Sequence, residues 1–256
     1  MNSKVIITYV VRIFLFAIVA AFIYWTASQG LYVHIFESTN EFLTLLGEHV
    51  ALVLVSSLLA VIVALPLAVF VTRPKFRKAE WITSNIANLA QTIPSLAVVA
   101  LMIGILGIGF VPAVFALFIY SVLPIFRNAV AGFSSVNPDL INAGKGMGMK
   151  PVEVFFKVEV PNAAYAIIGG LRTAIVLNVG TAAFAYFIGG GGLGLWIFTG
   201  IELFDNAYLI SGAVPVTLLA IFFDYALRGV EYWLTPKGMR SSKKQVNTKT
   251  AATATA

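Results

Sequence analysis

An aspartate within an apolar run, Asp224, and an arginine in another, Arg172, are the residues of this 256-residue chain whose chemistry most needs explaining. Ionised groups inside a bilayer usually face the bundle interior and find a partner there. The two are therefore candidate partners, with snorkelling to the interface an equal alternative for the arginine. His34 and His49 lie near Glu37, Glu41 and Glu48, but at no recognised metal-ligand spacing, so interfacial helix caps are expected and no metal site is. Gly189, Gly191 and Gly194 satisfy GxGxxG. A dinucleotide site would need a strand before that motif and a helix after it, and here an apolar run precedes it. Its expected form is a tight, mobile turn where the chain leaves an apolar run, or equally a glycine-rich turn with no further role. There is no cysteine and no GxxxxGK[ST], neither histidine lies deep in an apolar run beside a candidate serine, and no second acid accompanies Asp224. Thiolate, phosphate-loop and paired-aspartate chemistry are thereby excluded, and no catalytic residue or cofactor is expected in the chain.

The elements that must position these residues are set by composition. Hydrophobic side chains make up 59% and charged ones 11%, against about 25% charged in an average soluble domain. Six runs are long enough to cross a hydrocarbon core, at 6–28, 49–71, 86–108, 110–132, 162–188 and 207–230. They are continuous rather than alternating, which excludes a barrel and makes the fold an all-α membrane protein. The first run is too long for a signal peptide and has a poor cleavage site at Trp25, Thr26 and Ser28. Pro94 with Ser95, and Pro124, fall inside runs, where a proline kinks a helix, either to line a path or to pack. Trp25, Tyr32, Trp81, Trp196 and Trp233 are expected as interfacial belts.

Orientation follows from the cations. With the N-terminus inside, all 17 Lys and Arg face the cytoplasm, from Lys4 and Arg12 through Arg73, Lys75, Arg77 and Lys78 to the cluster after the last run. The opposite loops hold Glu37, Glu41, Glu48, Glu202 and Asp205 and no cation. Both termini are therefore expected in the cytoplasm of a multi-pass protein. The net charge of +6 is then a topology signal and not a nucleic-acid one. Residues 1–240 form the expected membrane domain, and the polar, small-residue stretch 241–256 reads as a disordered cytoplasmic tail.

The inner connection at 133–161 is strongly punctuated. Asn137, Pro138 and Asp139 supply an N-cap, a first-position proline and a first-turn acid. Gly146 and Gly148 stop that helix, and Pro151 with Glu153 begins a second one, expected to end before Pro161. At these positions the chain resembles the membrane permeases of ATP-binding-cassette importers. Their loop pattern is E-A-A, three residues, G, nine residues, then I-x-L-P. Asn142, Ala143, Gly144, Gly148, Val158, Val160 and Pro161 occupy it at the matching spacing, with Asn142 in place of the acid and Gly144 in place of an alanine. QTIPSLA at 91–97, LPIFRNAVAG at 123–132 and FIGGGGLG at 187–194 are similar to the osmoprotectant branch, and the resemblance covers roughly 45–235.

That resemblance implies a type I importer permease fold. It also implies a coupling loop that docks on a cytoplasmic ATPase, with small Ala143 and Gly144 allowing close docking and Gly148 the chain reversal. The implied partners are two ATPase subunits holding ATP and Mg2+, a second permease subunit, identical or related, and an external binding protein. The implied solutes are glycine betaine, choline, carnitine and other quaternary ammonium compounds. Pro94, Ser95, Gly189, Gly190, Gly191, Gly192 and Gly194 are the expected gate or path residues. An amino-acid permease shares the loop pattern and is the nearest alternative. An ion-coupled carrier or channel would call for more intramembrane carboxylates than the chain has.

Overall fold

The computed structural model describes residues 3–76, 85 and 92–234, which are helical with no strand among them. The helices are α1 (Ser3–Ser28), α2 (Val33–Glu37), α3 (Thr39–Val71), α4 (Ser95–Leu106), α5 (Phe110–Ser134), α6 (Pro138–Gly146), α7 (Pro151–Val154), α8 (Val160–Thr181), α9 (Gly194–Leu203) and α10 (Asn206–Leu234). A π turn over Phe155–Glu159 joins α7 to α8, and a 3-10 segment over Ala182–Ile188 continues α8. Four stretches among the described residues are long and apolar enough to cross a membrane: Thr39–Val71, Phe110–Ser134, Pro151–Ile188 and Asn206–Trp233. α1 covers the first expected run, and α4 covers Ser95–Leu106 of the third. Residues 86–91, Trp81 and the expected tail at 241–256 lie outside the described residues.

α5 is the hub, packed against α3 on one side and α8 on the other, while α10 lies along α8 and α9. The side chains show why. On α3, Ala60, Ala64 and Ala68 are fully buried, whereas Leu58 and Ile62 are about 60% exposed. Along this stretch, from Leu58 to Ala68, small residues face the bundle and bulky apolar ones face outward, as expected where the surrounding solvent is hydrocarbon and helices associate by close packing. The same stripe meets Ile125, Ala129 and Ala174. Between α5 and α8 the approach is closer still: a Cβ on Gly170 would lie 2.6 Å from the Asn128 Cβ, and one on Gly132 3.0 Å from the Ala166 Cβ.

Four sequence expectations are corrected by these elements. α3 begins at Thr39, ten residues before the expected run, because an acid interrupts hydropathy without interrupting a helix. Its 33 residues span about 50 Å at the usual rise, longer than a hydrocarbon core of about 30 Å, so its first turns carry Glu41 and Glu48 beyond it. Pro94 does not kink a helix; it precedes α4 with φ −60° and ψ 135°, and Ser95 is that helix's first residue. The segment after α7 does not end before Pro161, because the π turn carries the chain straight into α8. There the Val160 N–H bonds to the Phe155 carbonyl, five residues back, and the missing N–H of Pro161 falls in the first turn of α8, where it is tolerated. Finally, the outer connection expected at 189–206 contains α9, whose Trp196 is 1% exposed and so is no interfacial belt residue. Trp25 and Trp233 are exposed.

Candidate coupling loop and outer turn

The connection at 133–161 forms a compact hairpin. The Asn137 Oδ1 accepts the Asp139 N–H at 2.8 Å, and Pro138 opens α6. α6 closes through the Met147 N–H to the Ala143 carbonyl and the Met149 N–H to the Gly144 carbonyl. Gly148 turns the chain at φ +79°, where a β-carbon would be strained. α7 is capped by its own Glu153, whose Oε2 accepts the Lys150 N–H at 3.0 Å while Oε1 holds the Lys157 ammonium at 2.9 Å. The motif residues divide between two faces. Asn142, Ala143 and Gly148 are exposed, with Leu140 and Met147 exposed beside them. Gly144 is buried, and a Cβ there would sit 3.5 Å from Met149 and Val154 and 3.6 Å from Val158. Gly144 therefore closes the hairpin on itself and is not part of the exposed docking face that the sequence suggested. Val158, Val160 and Pro161 are half-buried, leading into α8.

At the opposite end, the glycine motif is a packed turn. Gly189, Gly191 and Gly192 have φ between +65° and +87°, a region that β-carbons disfavour. A Cβ on Gly190 would lie 2.6 Å from that of Ala113, and one on Gly194 would overlap the Ala183 carbonyl oxygen. The first turns of α3 fasten this turn: the Gly192 N–H donates to Glu48 Oε2 at 2.9 Å, and the Trp196 Nε1–H donates to Glu41 Oε1 at 3.2 Å. From the other side, the Gly109 N–H donates to the Ile188 carbonyl at 2.7 Å. A 3-10 segment precedes the glycines where a dinucleotide site needs a strand. Pro94 and Ser95 lie at the other end of α4 from Gly107 and Gly109, so the structure does not gather all the expected gate residues in one place.

Neither histidine caps a helix. His49 is fully buried in α3, with Nε2 2.9 Å from the Val179 carbonyl oxygen. His34 stacks on Tyr208 with ring centroids 3.6 Å apart, 4.0 Å from Asp205 Oδ2. No group of three or more His, Cys, Asp or Glu among the described residues could hold a metal ion.

Arg172 and Asp224 are brought together, Nε to Oδ1 at 3.1 Å. Arg172 Nη1 also reaches Glu231 Oε2 at 3.0 Å, and Arg228 Nε reaches Asp224 Oδ2 at 2.9 Å. The pair is thus part of a four-residue network between α8 and α10. The spacing of Asp224, Arg228 and Glu231 at i, i+4 and i+7 on one face of α10 was the available signal for the other two members. Two more polar contacts went unread in the sequence. Asn178 Nδ2 donates to Ser56 Oγ at 2.9 Å inside the bundle, and Arg73 at the end of α3 pairs with Glu159 in the π turn. Glu159 was visible only as an acid at the unspecified position of I-x-L-P.

The described residues thus form an apolar helical bundle with a capped hairpin at one end and a stapled glycine turn at the other, the architecture of a multi-pass membrane protein. Residues 64–237 match the family model for the binding-protein-dependent transport system inner membrane component, and the chain belongs to that family. It is 49% identical over 197 residues to the choline transport system permease protein OpuBB of Bacillus subtilis, covering 77% of this chain and 90% of the relative. It is 47% identical to the glycine betaine/carnitine/choline transport system permease protein OpuCB of the same organism, covering 82% of this chain and 96% of that one. With the osmoprotectant import permease protein OsmW of Salmonella typhimurium it shares 40%, over 81% of this chain and 98% of that one. Among solved structures, an inward-facing MetNI methionine ABC transporter matches with a TM-score of 0.71 at 22% identity, covering 78% of this chain and 99% of that one. Together with the family match, that likeness establishes the fold, the all-helical fold of ABC importer permeases.

Proposed function

We propose that the chain is the membrane-spanning subunit of an ATP-driven importer of quaternary ammonium osmolytes such as glycine betaine, choline and carnitine. The observation that carries the solute class is the 49% and 47% identity to permeases named for those compounds over most of the chain. With no phosphate-binding loop in its sequence, the subunit depends on two partner ATPase subunits to hold ATP and Mg2+. A second permease copy or relative completes the membrane domain, and an external binding protein delivers the solute, holding its cationic head against aromatic faces. Residues 1–240 act as the membrane domain with both termini in the cytoplasm of a cell-membrane protein, and 241–256 as a tail.

In this reading the exposed face of the hairpin, with Asn142, Ala143, Leu140 and Met147, rests on an ATPase. Gly144, Gly148, Val158, Val160 and Pro161 hold the hairpin in shape and lead it into α8. Closure of the ATPases favours one arrangement of the bundle over another, a population shift driven by differential contacts. The turn at Gly189–Gly194 lies at the outer end of that bundle, where its opening or closing gates the path. Arg172 and Asp224 hold α8 and α10 together at the inner end.

Uptake of labelled betaine, choline, carnitine and amino acids in cells lacking other osmolyte systems tests the solute class. Expression of the full system is expected to restore quaternary ammonium uptake. Amino-acid uptake without any quaternary ammonium uptake would refute the solute while leaving the permease reading in place.

A further inference from the structure

The hairpin needs a mechanical link to the helices it is to move, and the cytoplasmic end of α3 offers one. α3 terminates at Val71, and Arg73 folds back so that its Nε–H donates to the Val69 carbonyl at 3.1 Å. That contact fixes the plane of the guanidinium. Its remaining edge meets Glu159 in a fork: Nη1 to Oε1 at 3.1 Å and Nη2 to Oε2 at 2.6 Å. Two parallel charge-assisted bonds specify orientation as well as distance, which a single point contact does not.

Glu159 is 9% exposed and is the last residue of the π turn that joins the hairpin to α8. A π turn carries one residue more than the α-helical ladder accommodates, so it is a place where a helix can change register, and such turns are common at functional sites. The guanidinium carbon also lies 5.4 Å from the Phe155 ring centroid, at the first residue of the same turn. Phe155 in turn stacks on Phe133 near the end of α5, centroids 5.9 Å apart. Arg73, two residues past the end of α3 and bonded back to it, thus grips both ends of the turn, and the turn's first residue touches α5.

We propose that Arg73 and Glu159 are positioning residues that couple the hairpin to the bundle. The fork makes α3 follow the π turn when the hairpin is displaced, so that α3, α5 and α8 move as one. This rests on the reading of the hairpin as the ATPase-docking loop. It adds a defined route from that loop to α3, whose outer end carries Glu41 and Glu48, the residues that hold the glycine turn.

The test is the number of solute molecules moved per ATP hydrolysed, a ratio that mere loss of folded protein leaves unchanged. The full complex is reconstituted in proteoliposomes and labelled choline uptake and ATP hydrolysis are measured side by side. Arg73→Lys keeps the charge but loses the fork, and Glu159→Gln keeps the shape but loses the charge. Both variants are expected to assemble with the ATPases and hydrolyse ATP while the ratio falls at least about fivefold, the scale of a modest coupling energy between sites. The swap Arg73→Glu with Glu159→Arg is expected to recover part of it. A wild-type ratio in both conservative variants overturns the proposal. Equal loss of uptake and hydrolysis, with the swap no better, overturns it as well, since that is the behaviour of a scaffold contact. Failure of the wild-type complex to show any ATP-driven uptake would instead count against the importer reading.

Discussion

Replacing Gly194 by alanine is expected to abolish uptake and to lower the thermal midpoint of the purified complex by roughly 5–10 °C, the shift that corresponds to about 2–3 kcal/mol in a chain of this size. The added carbon would overlap the carbonyl oxygen of Ala183. A flexible side chain could swing away from such an intrusion, but a backbone carbonyl in the 3-10 segment after α8 cannot move without that segment, and overpacking of that kind costs about 1–3 kcal/mol. The turn from 189 to 194 would have to open, and with it the contact of the Gly192 N–H with Glu48. Gly47 is the matched control: it lies on α3 with nothing within 4 Å of the place its Cβ would take. Gly47→Ala should therefore be neutral or slightly stabilising, by up to about 1 kcal/mol from helix propensity. A Gly194→Ala complex with unchanged midpoint and uptake would show that the turn is looser than its packing indicates.

The second large effect is expected on the exposed face of the hairpin. Met147 is 71% and Leu140 46% exposed on a segment outside the apolar stretches, and a partner that covers them would bury the kind of apolar anchor that dominates interface energetics. Leu140→Asp with Met147→Asp is expected to reduce recovery of the ATPase subunits with the purified permease by more than about tenfold, the effect of losing over 1.4 kcal/mol at an interface. Insertion should be unaffected, since neither side chain supports the hairpin's own packing around Gly144, Met149 and Val154. In a parallel variant expressed without the ATPase subunits, Met147→Cys is expected to react with a membrane-impermeant maleimide in inside-out vesicles and not in intact cells. Normal recovery of the ATPase subunits with the double variant would reduce the hairpin to a connector. Labelling of Met147→Cys from outside would overturn the orientation together with the docking assignment.

These expectations rest on features that were unequally legible in the sequence. The hairpin was readable because its signals are local: Asn137 before Pro138 caps a helix whatever lies around it, and Gly148 is needed where the chain turns at positive φ. Long apolar runs were readable for the same reason. What was not readable is which face of a helix is inside. In water, hydropathy separates core from surface; in hydrocarbon both faces of the second half of α3 are apolar, and there the alternation of Ala60, Ala64 and Ala68 with larger residues marks the buried side. Polar residues misled in the opposite direction. His49 and Trp196 look interfacial by type, yet both are buried, the Val179 carbonyl meeting His49 Nε2 and Glu41 the Trp196 indole N–H from far off in the sequence. Glu159 was fixed by its contact with Arg73, far off in the sequence, and Gly144 by the folding of the hairpin onto Met149, Val154 and Val158, neither of which spacing alone encodes.

The central claim, that ATP hydrolysis by partner subunits drives a quaternary ammonium solute through this chain, is tested most directly by uptake into proteoliposomes. The complex is reconstituted with its cytoplasmic face inward, and labelled choline, glycine betaine or carnitine is supplied outside with the binding protein. Accumulation is expected only when ATP and Mg2+ are enclosed, and it should persist when ion gradients are collapsed by ionophores. Accumulation that needs no enclosed ATP and follows an imposed ion gradient would contradict the account.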